Sequence, residues 1–210
     1  MPPATKDRIL DSAEILFAQN GIASTSLRTL TEHAGVNLAS VNYHFQSKDA
    51  LVQAVLYRRI NPINQRRMEL LNEILQRPGA PRPTVEELLA AFYRPPVEAA
   101  ITSKQEGRPI VGLLGRIYTE PGELLASQVR AMMSQVASAY LDAFGMALPE
   151  IPQSILFWRL HFSVGALSHT LGAMHMMEGL ARGRIKVDDA EEILRQIIPY
   201  AAAGMRGSTK

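Results

Sequence analysis

The chain of 210 residues contains no cysteine. This absence excludes disulfide-bonded scaffolds, thiolate zinc sites and cysteine nucleophiles, and it suits a reducing cytoplasm. No apolar run approaches the ~18 residues of a membrane span. The N-terminal stretch also lacks the apolar segment of a signal peptide. The formal net charge is +2, which permits a polyanionic partner without requiring one. We therefore expect a soluble cytoplasmic protein.

Strand patterns are nearly absent, because no stretch alternates apolar and polar residues over several positions. Ala, Leu, Glu, Arg and Met dominate the periodic segments, and these residues favour helix. The composition is 47% hydrophobic and 20% charged, which is ordinary for a globular protein and atypical of disordered or coiled-coil chains. The sequence therefore predicts an all-α fold.

The first sixty residues predict four helices separated by short turns. Each predicted helix has apolar residues at helical spacing, with a capping residue or a glycine at its ends. The predicted ranges are approximately 6–20, 26 or 27 to 34, 38–44 and 47–60. Either Thr25 or Ser26 caps the second helix, Gly35 ends it with a tight turn, and Asn37 caps the third.

Pro62 is expected to break or kink the fourth helix, so the boundary between two domains is placed near residues 46–62. The predicted domains are 1–50 and 51–210, linked by the fourth helix. The second domain opens with another amphipathic stretch, RRMELLNEILQR, and a proline-rich loop at 77–83. Further segments of helix length follow at about 84–100, 109–118, 121–145, 153–181 and 188–205.

The third helix is predicted to have a polar outer face. Val41 and Phe45 are four residues apart and should both point inward. The residues left outside are Ser40, Asn42, Tyr43 and His44. Two short helices joined by a glycine turn, the second with such a face, form a helix-turn-helix, the unit that lays a recognition helix in the major groove of DNA.

The polar side chains of this region suit two kinds of contact with DNA. Asn42 carries an amide that can pair with a base edge, and Ser40 can hydrogen-bond a base or a phosphate. Tyr43, His44 and Lys48 would supply the phosphate contacts that fix the register on the duplex.

Tyr43 and His44 have two other possible roles besides DNA contact. The pair could instead cap a small core, and for an arbitrary aromatic–histidine pair this is as frequent an outcome. A helical zinc site is disfavoured, because neither His33 nor His44 has a carboxylate three or four residues further along, where a second ligand would share its face.

The stretch from Arg8 to Leu56 resembles the TetR family of one-component transcriptional repressors. It reads RILDSAEILFAQNGIASTSLRTLTEHAGVNLASVNYHFQSKDALVQAVL and covers about a quarter of the chain. The family has the same order of features: an opening helix that ends in glycine, a second helix begun by Thr or Ser, a Gly-Val turn, a third helix that closes on Tyr-X-His/Tyr-Phe, and a fourth begun by Lys. One departure is Thr31, where many members have alanine, and it predicts a local packing adjustment.

By position, the resemblance implies DNA contacts from the second helix, the third helix and the start of the fourth. The implied residues are Thr25, Ser26, Arg28, Thr29, Leu38, Ala39, Ser40, Asn42, Tyr43, His44 and Lys48. The family binds palindromic operators on double-stranded DNA as homodimers. A dimer is also expected on physical grounds, because one short helix reads only about 4–6 base pairs and specific affinity needs two half-sites.

The resemblance further implies that the C-terminal helices carry both the dimer interface and a ligand cavity. The last two long segments contain small residues that would let helices pair closely in a four-helix interface between subunits. These small residues are Gly165, Ala166, Ser168, Gly172, Ala173 and residues 201–204. The alternative is that they only ease packing within one subunit.

Large apolar or aromatic residues, with a few polar ones among them, are the candidates for the cavity wall. They are Phe92, Leu113, Leu114, Ile117, Tyr118, Met132, Met133, Phe157, Trp158, His161 and Phe162. Taken singly, each of these is more typical of ordinary core. His161 and His169, with Arg159 nearby, would bind the polar head of an otherwise apolar ligand. The segments FWRLHFSVGAL and AAAGMR resemble a fatty-acid- or acyl-CoA-responsive subgroup of the family, which implies an effector of that class.

The sequence therefore predicts a ligand-responsive, sequence-specific regulator that needs no cofactor or metal. Effector binding would favour a conformer whose two recognition helices are wrongly spaced for the operator, with the fourth helix as the lever. One rival is a non-specific architectural DNA-binding protein. The other is an enzyme, which is disfavoured because no nucleophile–base set, phosphate-binding glycine loop or metal triad occurs at recognisable spacing.

Overall fold

A computed structural model describes residues 4–79, 81–107, 123–185 and 187–208, except for the side chains of residues 123–125 and 175. Within these ranges, all regular secondary structure is α-helical, which confirms the predicted fold class. No helix in the described part of the chain is both long enough and apolar enough to cross a membrane.

The helices that the structure describes agree with most of the predicted segments. They are α1 (Thr5–Asn20), α2 (Leu27–Ala34), α3 (Leu38–Phe45), α4 (Lys48–Leu75), α5 (Val85–Gln105), α6 (Glu123–Ala147), α7 (Gln153–Gly172), α8 (Met174–Ala181) and α9 (Ala190–Arg206). The first three begin and end within two residues of the predicted bounds. The predicted segment at 109–118 lies outside the described residues.

Two predicted boundaries are wrong. Pro62 does not end the fourth helix, because α4 continues through it to Leu75. A proline removes one backbone hydrogen bond, but Ile60 and Ile63 on either side of it are buried, and this packing holds the helix together. The predicted segment 153–181 in turn divides at Ala173, whose φ of −99° and ψ of 5° leave the helical region.

The chain divides into two compact units, and the division falls inside α4. Unit one comprises Met1–Pro62 and Ser103–Met132, and unit two comprises Ile63–Thr102 and Met133–Lys210. Helix α4 therefore contributes its first half to unit one and its second half to unit two.

In unit one, α1 packs against both α2 and α3, and α2 packs against α3. The apolar face predicted for α1 is buried. The largest side chains of this small core are Ile9, Phe17, Leu30, Val41, Phe45, Leu51 and Leu56. Burying each such side chain contributes about 1.5–3 kcal/mol, so the core is what holds the short helices α2 and α3 in place.

In unit two, a cluster of aromatic rings lies between α5 and α6. Phe92 and Tyr140 meet edge to face with their ring centroids 4.9 Å apart. The hydroxyl of Tyr140 donates to the carbonyl of Arg67 at 2.9 Å, and that of Tyr93 donates to the carbonyl of Ser163 at 3.1 Å. Burial raises the pKa of Tyr93 to about 12. Both phenols therefore stay neutral and serve as hydrogen-bond donors within the core. In the same unit, helices α7 and α9 pack against each other.

A strained turn joins α3 to α4. Gln46 has a φ of 64° and a ψ of −40°, and the N–H of Ser47 donates to the carbonyl of Phe45 at 2.7 Å. This is a γ-turn of the rare, strained kind, which is unfavourable for a residue with a Cβ atom. The turn stops α3 and lets the Ser47 hydroxyl cap α4 by accepting from the N–H of Ala50 at 3.1 Å.

We expect Gln46→Gly to stabilise the protein by about 1 kcal/mol. Strain at such a residue costs of order 1–3 kcal/mol, and glycine relieves it at an entropic cost of roughly 0.5–1 kcal/mol. Urea unfolding followed by circular dichroism measures the change.

The control is Gln53→Gly, at an exposed position inside α4. There the same change should destabilise the protein by about 1 kcal/mol, because glycine is a poor helix former. Equal destabilisation by both variants would show that Gln46 is not strained.

Candidate nucleic-acid interface

The start of α2 is fixed by two neighbouring hydroxyl groups with different roles. Ser26 is the helix cap, and its hydroxyl accepts from the N–H of Thr29 at 3.0 Å. Thr25 is buried, and its hydroxyl donates to the carbonyl of Gly21 at 2.7 Å. This corrects the expectation that Thr25 reaches DNA, because its hydroxyl, the only polar group of its side chain, is buried and closes the turn after α1.

The turn between α2 and α3 is held by its own backbone and by α1. Gly35 has a φ of 61°, and the N–H of Val36 donates to the carbonyl of Thr31 at 3.0 Å, which closes the C-terminus of α2. From α1, Arg8 Nη2 donates to the carbonyls of Ala34 and Gly35 at 2.7 and 3.0 Å. A Cβ atom on residue 35 would lie 2.9 Å from this Nη2, so a side chain there would displace the Arg8 guanidinium, and the backbone angle itself favours glycine.

Asn37 caps helix α3, as predicted. Its side-chain Oδ1 accepts from the backbone N–H of Ser40 at 2.8 Å and from the Ser40 hydroxyl at 2.9 Å. The Ser40 hydroxyl is thus already engaged in the cap. Val41 and Phe45 are buried, which confirms their predicted inward orientation.

The outer face of α3 is exposed to solvent. Tyr43 is 84% exposed, so it is not a cap on the core, and its ring meets His44 edge-on with 5.1 Å between centroids. His44 is only half-buried. The other exposed residues of this face are Leu38, Ala39 and Asn42. Among the residues that the structure describes, no group of three His, Asp or Glu side chains is arranged to hold a metal.

Cationic side chains lie on the helices before and after α3. Arg28 is exposed on α2, and its Nε lies 3.0 Å from Glu32 Oε1 one turn along the helix. Such exposed pairs contribute only about 0.3–0.5 kcal/mol, so the guanidinium can exchange Glu32 for a phosphate at little cost. Lys48 at the start of α4 donates to the carbonyl of Ala23 at 3.1 Å, which places its ammonium group beside the turn that precedes α2.

The departure at Thr31 has a local explanation. Thr31 is buried, and its hydroxyl donates to the carbonyl of Arg28 at 2.8 Å. Because the helix itself satisfies the hydroxyl, threonine fits where alanine is common.

The residues proposed for a ligand cavity fall into three groups. Leu113, Leu114, Ile117 and Tyr118 lie outside the described residues. Phe92 is buried in unit two, with the guanidinium of Arg67 4.1 Å above its ring. Met132 and Met133 are half-buried, and Met133 Sδ accepts from Asn64 Nδ2 at 3.7 Å.

The third group, which was also expected at a ligand cavity, is on the exposed side of α7. Trp158 is 58% exposed, Phe162 is 65% exposed, and His161 between them is also exposed. The buried side of the same helix carries Leu156, Leu160, Ser163, Leu167 and Leu171. The pattern of apolar residues does not separate the buried side from the exposed side, because α7 is apolar on both.

These exposed side chains form one aromatic surface on α7. The Trp158 and Phe162 rings stack with 5.9 Å between centroids, and His161 meets Trp158 edge-on at 6.1 Å. Phe157 on α7 and Tyr200 on α9 are also more than half exposed. Exposed aromatic clusters such as that of Phe157, Trp158 and Phe162 mark interaction sites. We refer to these three residues, together with exposed Tyr200 on the neighbouring helix α9, as the aromatic face.

Arg159, which was expected near the polar head of a ligand, contacts the end of α9. Its guanidinium donates to the carbonyls of Met205 at 2.7 Å and Gly207 at 2.8 Å. It therefore closes the C-terminus of α9 against α7. His169 is exposed. Of the small residues, Ala201 and Ala202 are buried within unit two, whereas Gly165 and Gly204 are exposed.

Two protein families match the chain. Residues 9–55 match the family described as bacterial regulatory proteins, tetR family. Residues 90–204, more than half of the chain, match the family described as tetracyclin repressor-like, C-terminal domain.

Curated relatives match over the helix-turn-helix. The HTH-type transcriptional regulator YttP of Bacillus subtilis is 42% identical over 53 residues, which are 25% of this chain and 26% of that protein. The HTH-type transcriptional repressor KstR2 of Mycolicibacterium smegmatis is 34% identical over 55 residues, 26% of this chain and 27% of that one. The chain thus spans about a quarter of the length of these curated relatives.

Solved structures with the same fold cover nearly the whole chain. The fatty acid degradation regulator FadR from Bacillus halodurans has a TM-score of 0.71 at 12% identity, over 99% of this chain and all of that one. AmtR from Mycobacterium smegmatis has a TM-score of 0.63 at 22% identity, over 100% and 89%. A complex of SmeT with triclosan has a TM-score of 0.65 at 18% identity, over 95% and 91%. At these identities the likeness shows the fold alone.

Proposed function

The chain belongs to the TetR family of transcriptional regulators, and on this premise we propose that it is a cytoplasmic repressor that binds a palindromic operator as a homodimer and is released by a small apolar effector. The observation that carries the proposal is the two-sided character of α3. Val41 and Phe45 anchor it in the core, and Asn42 and Tyr43 stand in solvent. A short helix supported in this way is suited to enter a major groove.

The residues of unit one divide into base readers and backbone contacts. Asn42 is the base reader, because its amide is free of the cap and matches the hydrogen-bonding edge of adenine. Leu38 and Ala39 offer apolar contact to thymine methyl groups. The backbone contacts come from exposed or half-buried polar groups around them. They are Ser26, Arg28, Thr29, Ser40, Tyr43, His44 and Lys48.

We expect Asn42→Ala and His44→Ala to weaken binding in different ways. Asn42→Ala should lose about 1–3 kcal/mol on the preferred operator and relax the preference at the base pair it reads. His44→Ala should weaken binding to all duplexes alike. Fluorescence anisotropy measures both, on a duplex that the wild-type protein selects from a random library and on its single-base-pair variants.

Asn72→Ala, at an exposed position of α4 in unit two, is the control and should bind like the wild type. Equal losses for Asn42→Ala on every duplex would rule out base reading by Asn42. Wild-type protein that does not discriminate between the selected duplex and random DNA would favour the alternative, a non-specific architectural protein.

The aromatic face is proposed as the dimer interface. It presents large apolar side chains from the packed pair of helices α7 and α9, and exposed Gly165 and Gly204 leave room for a partner helix. Aromatic anchors of this type commonly carry most of the binding energy of an interface.

We expect Trp158→Glu to separate the dimer. Burying a charge at the centre of an apolar interface should cost at least about 2 kcal/mol, which is more than tenfold in the dissociation constant. Sedimentation equilibrium measures the dissociation constant, and operator affinity should fall with it. Leu75→Glu, a partly exposed leucine at the end of α4, is the matched control and should stay dimeric. Unchanged association of Trp158→Glu would exclude the aromatic face.

The effector is proposed to be a long-chain fatty acid or its acyl-CoA. Support comes from the sequence of α7, from the fold shared with a regulator of fatty acid degradation, and from the triclosan complex of SmeT, which has the same fold with an apolar small molecule. Phe92 and the half-buried Met133 remain the proposed wall residues in the described part of the chain, because methionine adapts to irregular ligands.

We expect palmitoyl-CoA or palmitate to weaken operator binding by 5–150-fold, corresponding to a coupling of about 1–3 kcal/mol. Anisotropy titrations with each compound measure this, and free coenzyme A is the control. Native mass spectrometry of the purified protein should also detect an apolar acyl compound. Binding that is unaffected by both acyl compounds, in protein that carries no such molecule, would exclude this effector class.

A further inference from the structure

A buried carboxylate ties α1 to α4 within unit one. The side chain of Glu14 is only 5% exposed, and two successive arginines of α4 share it. Arg58 Nε and Arg59 Nε both donate to Glu14 Oε1 at 2.8 Å, and Arg59 Nη2 donates to Oε2. One turn earlier on α1, Asp11 accepts from Arg58 Nη2 at 2.7 Å. Two carboxylates and two guanidinium groups therefore form one neutral cluster.

Arg58 keeps its positive charge in the folded protein. Burial disfavours the charged guanidinium of Arg58, yet its hydrogen bonds to Asp11 and Glu14 outweigh burial and raise its pKa. Buried ion clusters are poor sources of stability, because apolar side chains of similar volume often do as well or better. They do fix the relative orientation of the two helices. A guanidinium group that makes two hydrogen bonds to a carboxylate sets both the distance and the rotation between them, whereas apolar surfaces can shift against each other.

The cluster lies where the orientation of the helices matters for DNA recognition. Helix α1 packs against α2 and α3, and its Arg8 holds the turn between them, so α1 is the frame that carries the recognition helix. Helix α4 is the helix that continues past Pro62 into unit two. The orientation of α1 on α4 therefore determines the direction in which α3 points relative to the long helix.

We propose that Glu14 is a positioning residue for operator recognition, which locks α1 and α3 at one orientation on α4 through Arg58 and Arg59 and thereby selects the spacing of the operator half-sites. This role rests on the proposed function, because spacing has meaning only for a dimer on a two-part operator. Glu14 itself is buried and makes no contact with DNA. Its effect is on which arrangement of half-sites both subunits can reach together.

The test uses the full-length protein and the duplex that the wild type selects from a random library. The half-sites of this duplex are then moved closer or further apart by one and two base pairs. Wild type should show a sharp optimum of affinity at the selected spacing. Glu14→Gln keeps the shape of the side chain and removes its charge. The ratio of the affinity at the best spacing to that at the neighbouring spacings should fall by roughly tenfold. Glu69→Gln, which alters an exposed ion pair of α4 in unit two, is the control and should retain the sharp optimum.

Arg59→Lys is the second variant, because it keeps a cation beside Glu14 and removes the fork. It should fold and flatten the spacing profile in the same sense, and it decides the question if Glu14→Gln does not fold. A profile that stays sharp while affinity falls equally on every duplex would overturn the positioning role and leave Glu14 with a purely structural one. Wild-type protein that selects no two-part duplex would instead overturn the proposed function, so the two failures are distinguishable.

Discussion

Helix α3 is only eight residues long, and a helix of that length does not persist in water without tertiary support. The burial of Val41 and Phe45 supplies this support, since it fastens one side of the helix to the core of unit one. Asn37 and the turn at Gln46 then determine where the helix starts and stops. These contacts on the inner side of α3 therefore determine the positions of the polar groups on its outer side.

The arrangement of α3 is governed mostly by residues that lie behind it. Helix α1 contacts both short helices, and its arginine at position 8 is a donor to the turn between them. The same helix reaches α4 through Glu14. Arg8 and Glu14, less than two turns apart on α1, thus connect the turn before the recognition helix to α4. Selection on operator recognition would therefore act on interior positions as well as on the groove-facing ones.

Local signals in the sequence were sufficient to predict the helix-turn-helix. These signals are local, since each depends on only a few neighbouring residues. They are the glycine at 35, the cap at Asn37 and the spacing of Val41 and Phe45. The choice between Thr25 and Ser26 is different, because both hydroxyls can cap a helix. Only the contact of Thr25 with the carbonyl of Gly21, across the turn, separates their roles.

The C-terminal half was less predictable because its signals are not local. Helix continuation through Pro62 depends on the burial of Ile60 and Ile63, which a proline-based rule ignores. Helix α7 carries large apolar residues on both sides, so periodicity could not tell its inner side from its outer one. The role of Arg159 was missed for the same reason, because its partners are carbonyls at the end of α9, nearly fifty residues away.

The placement of Trp158 has a practical consequence. It is the sole tryptophan of the chain, and it lies in solvent on the outer side of α7. Tryptophan fluorescence therefore says little about whether one subunit is folded, since the indole is exposed to solvent in both the folded and the unfolded subunit. Its emission maximum would instead move to shorter wavelength when another surface covers α7. The protein thus carries a built-in optical probe that separates assembly from folding.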